Sequence, residues 1–139
     1  MGRREEEREI PKIIFDTDVL IWYFRGDSKA MDFIAGVPFE ERCVSSLCIM
    51  ELVQGCLSKE ELKNVKGFVK DNICHIAHPD ETISEKAILL LERHASSDGL
   101  RTVDAVIAAT AITINASLVT GNIKHFKNIS SLKVNKFNP

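Results

Sequence analysis

Short β-rich runs alternate with helical segments through almost the whole sequence. The runs are residues 11–15, 42–45, 73–77, 117–119 and 132–137. The segments between most of them are long enough for crossover connections. That alternation predicts an α/β fold: a parallel β-sheet flanked by helices on both faces. A chain of 139 residues corresponds to one domain. Residues 1–9 are rich in arginine and glutamate and are expected to form a charged tail ahead of a domain spanning 10–139.

Helices are expected over 19–24, 29–35, a segment capped by Ser46 and running to Cys56, 59–72, 80–97 and 103–115. Thr102 is placed to cap the last of these. That helix is apolar nearly all round, through Ala105-Val-Ile-Ala-Ala109 and Ala111-Ile112, so it belongs at the centre of the fold. A helical turn is expected over 123–126.

Composition excludes several classes of function. Apolar residues make up 45% and charged residues 27%, a balance that forms a packed core. A net charge of −2 gives no broad cationic coat for duplex DNA. Charge is nonetheless uneven, because no acid follows Asp104. Lys124, Lys127, Lys133 and Lys136 make the C-terminal part cationic and suit it to face phosphate or simply solvent. No apolar run approaches the ~18 residues of a membrane span. The N-terminus has no apolar core of a signal peptide. Cys43, Cys48, Cys56 and Cys74 form no C-x-x-C pair, and Cys43, Cys48 and Cys74 sit among aliphatic residues as small buried hydrophobes would. Reduced thiols in the cytoplasm are therefore expected, with no zinc site.

Three acids stand in apolar company. Asp16 follows Lys12-Ile-Ile-Phe15, Glu51 lies within Ile49-Met-Glu-Leu-Val53, and Asp104 opens the most apolar helix. Singly, each has an ordinary role: strand termination and helix capping for Asp16, a lysine bridge for Glu51, the helix dipole for Asp104. Converging beyond the strand ends they would repel one another by ~4 kcal/mol per pair at 4 Å and an effective dielectric near 20. A divalent cation removes that repulsion, and oxygen donors select Mg²⁺ or Mn²⁺.

Four blocks carry a resemblance. They are Ile14-Phe-Asp-Thr-Asp-Val-Leu-Ile21, Ser45-Ser-Leu-Cys-Ile-Met-Glu-Leu52, Thr102-Val-Asp-Ala-Val-Ile-Ala-Ala-Thr-Ala111 and Leu118-Val-Thr-Gly-Asn-Ile-Lys-His-Phe126. In order and spacing the chain resembles a PIN domain of the VapC type, the toxin ribonuclease of a toxin–antitoxin pair. The resemblance implies that Asp16, Glu51 and Asp104 bind Mg²⁺ or Mn²⁺. It places Asn122 at a fourth position that is often aspartate, where it holds water but adds no charge. Thr120 matches a hydroxyl residue that steadies the first acid. Implied with these are hydrolysis of RNA by a metal-activated water, a homodimer, and an antitoxin whose C-terminal segment covers the acidic pocket, often with an arginine.

Lys124 and Lys127 are candidate contacts to the RNA backbone. His94 and His125 are read as structural, and Trp22 and Tyr23 as buried rather than base-stacking. Two other readings stand beside this one. Phe15-Asp-Thr-Asp-Val-Leu20 also fits the opening motif of HAD-type phosphatases, with Asp16 as nucleophile and Asp18 as general acid, although no later acid completes that site. A PIN scaffold that binds RNA or protein without cutting is the other.

Overall fold

The computed structural model describes residues 11–139, so the expected tail at 1–9 lies outside the described residues. The strands are β1 (Ile13–Phe15), β2 (Arg42–Ser45), β3 (His75–Ala77), β4 (Ser117–Thr120) and β5 (Lys133–Lys136). The helices are α1 (Thr17–Phe24), α2 (Ser28–Gly36), α3 (Ser46–Gln54), α4 (Lys59–Asn72), α5 (Glu81–Asp98) and α6 (Thr102–Thr113). Short 3₁₀ turns occupy Phe39–Glu41 and Ile123–His125.

All five strands are parallel, in the order β3-β2-β1-β4-β5. Each central strand sends alternate side chains to opposite faces, as a pleated strand must. Ile14, Cys43 and Leu118 face the layer of α5 and α6, together with Phe126. Phe15, Val44 and Val119 face the layer that contains Val19 and Leu20 of α1, Ile34 of α2 and Phe68 of α4. The sheet is thus covered on both sides, as its near-continuous apolar strands require. None of the described helices is long and apolar enough to cross a membrane.

The apolar helix predicted to be central is α6: Ala105, Ile107, Ala108, Ala109, Thr110 and Ala111 are all fully buried. Thr110 is tolerated there because its hydroxyl donates to the Val106 carbonyl at 2.6 Å. Helix α5 stops where Gly99 adopts φ +70°, the left-handed geometry that glycine accepts without strain.

Two caps differ from expectation. Ser45, not Ser46, caps α3, its hydroxyl accepting from the Leu47 amide at 3.2 Å. Ser45 is still extended as the last residue of β2, the backbone state a cap needs, whereas Ser46 is already helical. Thr102 likewise lies inside α6; Arg101 precedes it and makes no side-chain cap bond. Cys74 is exposed rather than buried, because β3 is an edge strand that begins one residue later. Trp22 and Tyr23 are half-buried against the core, with the Tyr23 ring 4.5 Å from that of Phe68.

The chain runs from β1 outward to β2 and β3, then returns to place β4 on the other side of β1. The sheet therefore has its switch point between β1 and β4, where a crevice opens beyond the carboxyl ends of the strands. The two strands are aligned there: Phe15 pairs with Val119, and the Asp16 amide donates to the Val119 carbonyl at 2.9 Å.

Candidate active site

Asp16 leaves β1 at this switch point and caps α1. Only 7% of its surface is exposed. Its Oδ1 accepts from the Thr17 amide at 2.8 Å, and its Oδ2 accepts from the Thr120 hydroxyl at 2.9 Å. The Thr120 oxygen in turn accepts from the Asn122 amide at 3.0 Å. One fully buried hydroxyl thus holds both the first acid and the turn that carries Asn122.

Asp18 lies in the first turn of α1. Its Oδ2 accepts from the Gly121 amide at 2.8 Å. A Cβ on residue 121 would stand 2.7 Å from that oxygen, so a side chain there would push the Asp18 carboxylate off this bond. The other oxygen, Oδ1, is buried and has no hydrogen-bond partner.

Asp104 projects from the first turn of α6, and its Oδ2 lies 3.3 Å from His125 Nδ1. The same nitrogen is 3.3 Å from Asn122 Nδ2. A protonated Nδ1 serves Asp104, whereas an unprotonated one serves Asn122, so the two long contacts compete for a single atom. Residues 122 and 125 come together because the 3₁₀ turn places side chains three apart above one another. His125 therefore belongs to the site rather than to plain surface, a role that the Asn-x-x-His spacing could have signalled. His94 stays within α5, 2.9 Å from Asp98.

Glu51 of α3 is exposed and joins the group indirectly: its Oε1 accepts from the Thr17 hydroxyl at 2.6 Å, while the Thr17 amide binds Asp16. One turn behind it, burial pushes the Cys48 thiol up to about 12, which makes it an inert filler and no nucleophile. Lys124 and Lys127 are both exposed on the rim after Asn122.

The electrostatics are those of crowded acids. Burial first, and then the charge of Asp18, push Asp16 up to about 6, with Asp104 adding to the rise. The Thr120 and Thr17 hydrogen bonds oppose that rise. Burial likewise raises Asp18, again with repulsion from Asp104. Among the described residues no lysine or arginine forms an ion pair with any of the three. Nor do any three His, Cys, Asp or Glu side chains stand at ligating distance around one point. Asp16, Asp18 and Asp104 are near enough to repel, and Glu51 reaches them only through Thr17. A buried, unpartnered carboxylate oxygen beside uncompensated acids fits a hard divalent cation.

A pH dependence follows. Folding raises Asp16 from its ordinary 3.8 to about 6, so the folded chain holds this proton more tightly than the unfolded one. The resulting stability is complete below about pH 4 and is lost as pH rises through 6. In metal-free protein, the stability advantage of Asp16→Asn over wild type should widen by about 2–3 kcal/mol between pH 4 and pH 7. Urea titrations at the two pH values measure it, and a constant difference would contradict the raised pKa.

The PIN domain profile matches residues 13–132. Ribonuclease VapC19 of Mycobacterium tuberculosis is 32% identical over 116 residues, covering 81% of this chain and 90% of that protein. A toxin–antitoxin complex from Klebsiella pneumoniae contains a chain 25% identical, with a TM-score of 0.75 over 87% of this chain and 95% of that one. The DNA-bound VapBC of Salmonella typhimurium shares the fold, with 21% identity and a TM-score of 0.78 over 91% of this chain and 98% of its counterpart. A switch point crowded with acids, a parallel sheet covered on both faces and a family match over nearly the whole domain converge on one assignment: the chain belongs to the PIN domain family.

Proposed function

We propose that this chain is a divalent-metal-dependent endoribonuclease, the toxin of a toxin–antitoxin pair, acting in the cytoplasm. The observation that carries the reading is the group of mutually repelling carboxylates at the switch point, with no lysine or arginine paired to them among the described residues. The ribonuclease relative and the toxin–antitoxin complexes that share the fold point the same way.

Asp16, Asp104 and Glu51 would hold Mg²⁺ or Mn²⁺. When bound, such an ion supplies an activated water and a Lewis acid for the scissile phosphate. Thr120 fixes the orientation of Asp16, so its carboxylate meets substrate with little reorganisation. Asn122, exposed beside His125, offers an amide to a water or phosphate oxygen without adding charge. Lys124 and Lys127, both exposed, would steady the RNA backbone.

A groove of about 420 Å³ between α1, α3 and α4 runs beside Glu51. Ile21, Phe24, Leu52 and Val65 line it, together with Arg25, Glu51 and Glu61. It suits an amphipathic segment of an antitoxin that sends a basic side chain toward the acids. Exposed Met50 and Val53 on α3 and Ile88 and Leu89 on α5 support a homodimer.

Metal removal tests the reading. Cleavage of a labelled RNA should appear with Mn²⁺, stop on chelation with EDTA and return when Mn²⁺ is restored. RNA binding without cleavage at any Mn²⁺ concentration would favour a non-catalytic scaffold. Phosphatase activity on a small phosphate ester in place of RNA cleavage would favour the HAD-type reading, for which the described residues offer no lysine paired with Asp16.

A further inference from the structure

Two consecutive residues at the end of β4 bind the acids directly, and the next closes back on the first of them. Thr120 binds Asp16, Gly121 binds Asp18, and Asn122 binds back to Thr120. Asp18 is thereby anchored one residue away from Asn122, the position where the expected fourth acid is an amide. The anchor uses only Oδ2; Oδ1 is buried and has no partner.

A buried carboxylate oxygen without a partner is unfavourable unless a ligand completes it. An asparagine at 18 would accept from the Gly121 amide equally well and would not repel Asp16 and Asp104. A full negative charge here is of use to a cation.

We infer that Asp18 is a fourth cation-facing carboxylate of this site and supplies the charge that Asn122 lacks. The inference rests on the metal-dependent reading above and names a residue that reading leaves out. The α1 backbone and the Gly121 amide fix Asp18 Oδ2, so the unpartnered oxygen is already in place before an ion arrives. The bare glycine at 121 leaves room for this approach, since a methyl group there would meet Asp18 Oδ2 at 2.7 Å.

Mn²⁺ binding to the full chain, measured by titration calorimetry without RNA, tests this. The set is wild type, Asp18→Asn, Asp18→Asn with Asn122→Asp, and Asp104→Asn. Asp18→Asn should weaken Mn²⁺ binding by about tenfold or more, in the range that site-supporting groups contribute. Its metal-free melting temperature should not fall, because the amide keeps the Gly121 bond and loses the repulsion. Adding Asn122→Asp should restore affinity to within about threefold of wild type by returning the charge to the neighbouring position. Asp18→Ser, which keeps an acceptor near Gly121, gives a second measure if the first variant folds poorly.

Wild-type affinity in Asp18→Asn would overturn the inference, and so would a double variant that binds no tighter than the single one. If Asp104→Asn weakens binding while both Asp18 variants leave it intact, Asp18 alone is wrongly assigned. If wild type takes up no Mn²⁺, the metal-dependent reading falls as well.

Discussion

Asp104→Asn is expected to reduce Mn²⁺-supported RNA cleavage by on the order of 100- to 1,000-fold, since a catalytic metal contributes several kcal/mol and each 1.36 kcal/mol is tenfold in rate. The substitution isolates charge from shape. An asparagine amide has the size of the carboxylate and still offers an oxygen to His125 Nδ1, now 3.3 Å from Asp104 Oδ2. Asp104 is half-buried in the first turn of α6, and the fully buried residues that anchor that helix begin one position later at Ala105. The fold should therefore survive. What is lost is one of the carboxylates proposed to hold the divalent ion, together with part of the repulsion that raises Asp16. Single-turnover cleavage of a labelled RNA, beside matched circular dichroism spectra, measures the effect. Cleavage by Asp104→Asn within about threefold of wild type would remove Asp104 from the chemistry.

The second large effect is on stability. Phe126→Ala should destabilise the protein by about 3–5 kcal/mol. Phe126 is fully buried and follows the 3₁₀ turn of Ile123–His125, where it packs with Ile14, Leu118 and the α5–α6 layer. Truncation removes most of an aromatic side chain and leaves a cavity against the central strands, which are held by hydrogen bonds and relax little to fill it. The same side chain anchors the segment carrying Asn122 and His125, so the loss should also loosen that rim of the site. Urea denaturation gives the value as a lower midpoint at unchanged slope. A cost below about 1 kcal/mol would show that the surroundings collapse into the space.

The strands and helices were legible because their signals are local. Apolar pairs such as Ile14-Phe15 and Cys43-Val44 mark strands buried on both faces, and the all-round apolar character of α6 marks a central helix. The differences from expectation arise where local signals tie or where sheet position overrides them. Ser45 and Ser46 are chemically equivalent as caps, and only the point at which β2 ends decides between them. Cys74 has the aliphatic neighbours of a buried residue, but its exposure depends on β3 lying at the sheet edge.

The amino-acid order alone determined the alternating α/β architecture and singled out Asp16, Glu51 and Asp104 as acids in unusual company, because periodicity and apolar context are properties of neighbouring residues. Only the tertiary structure decided how those acids relate. It set Asp16 on Thr120 and Asp18 on Gly121, each across more than a hundred residues of sequence, and it reached Glu51 through Thr17. It also turned His125 toward Asp104 and left one oxygen of Asp18 without a partner. The physical reason is that hydrogen bonding, repulsion and burial depend on distance in space, and the closing of β4 against β1 creates those distances.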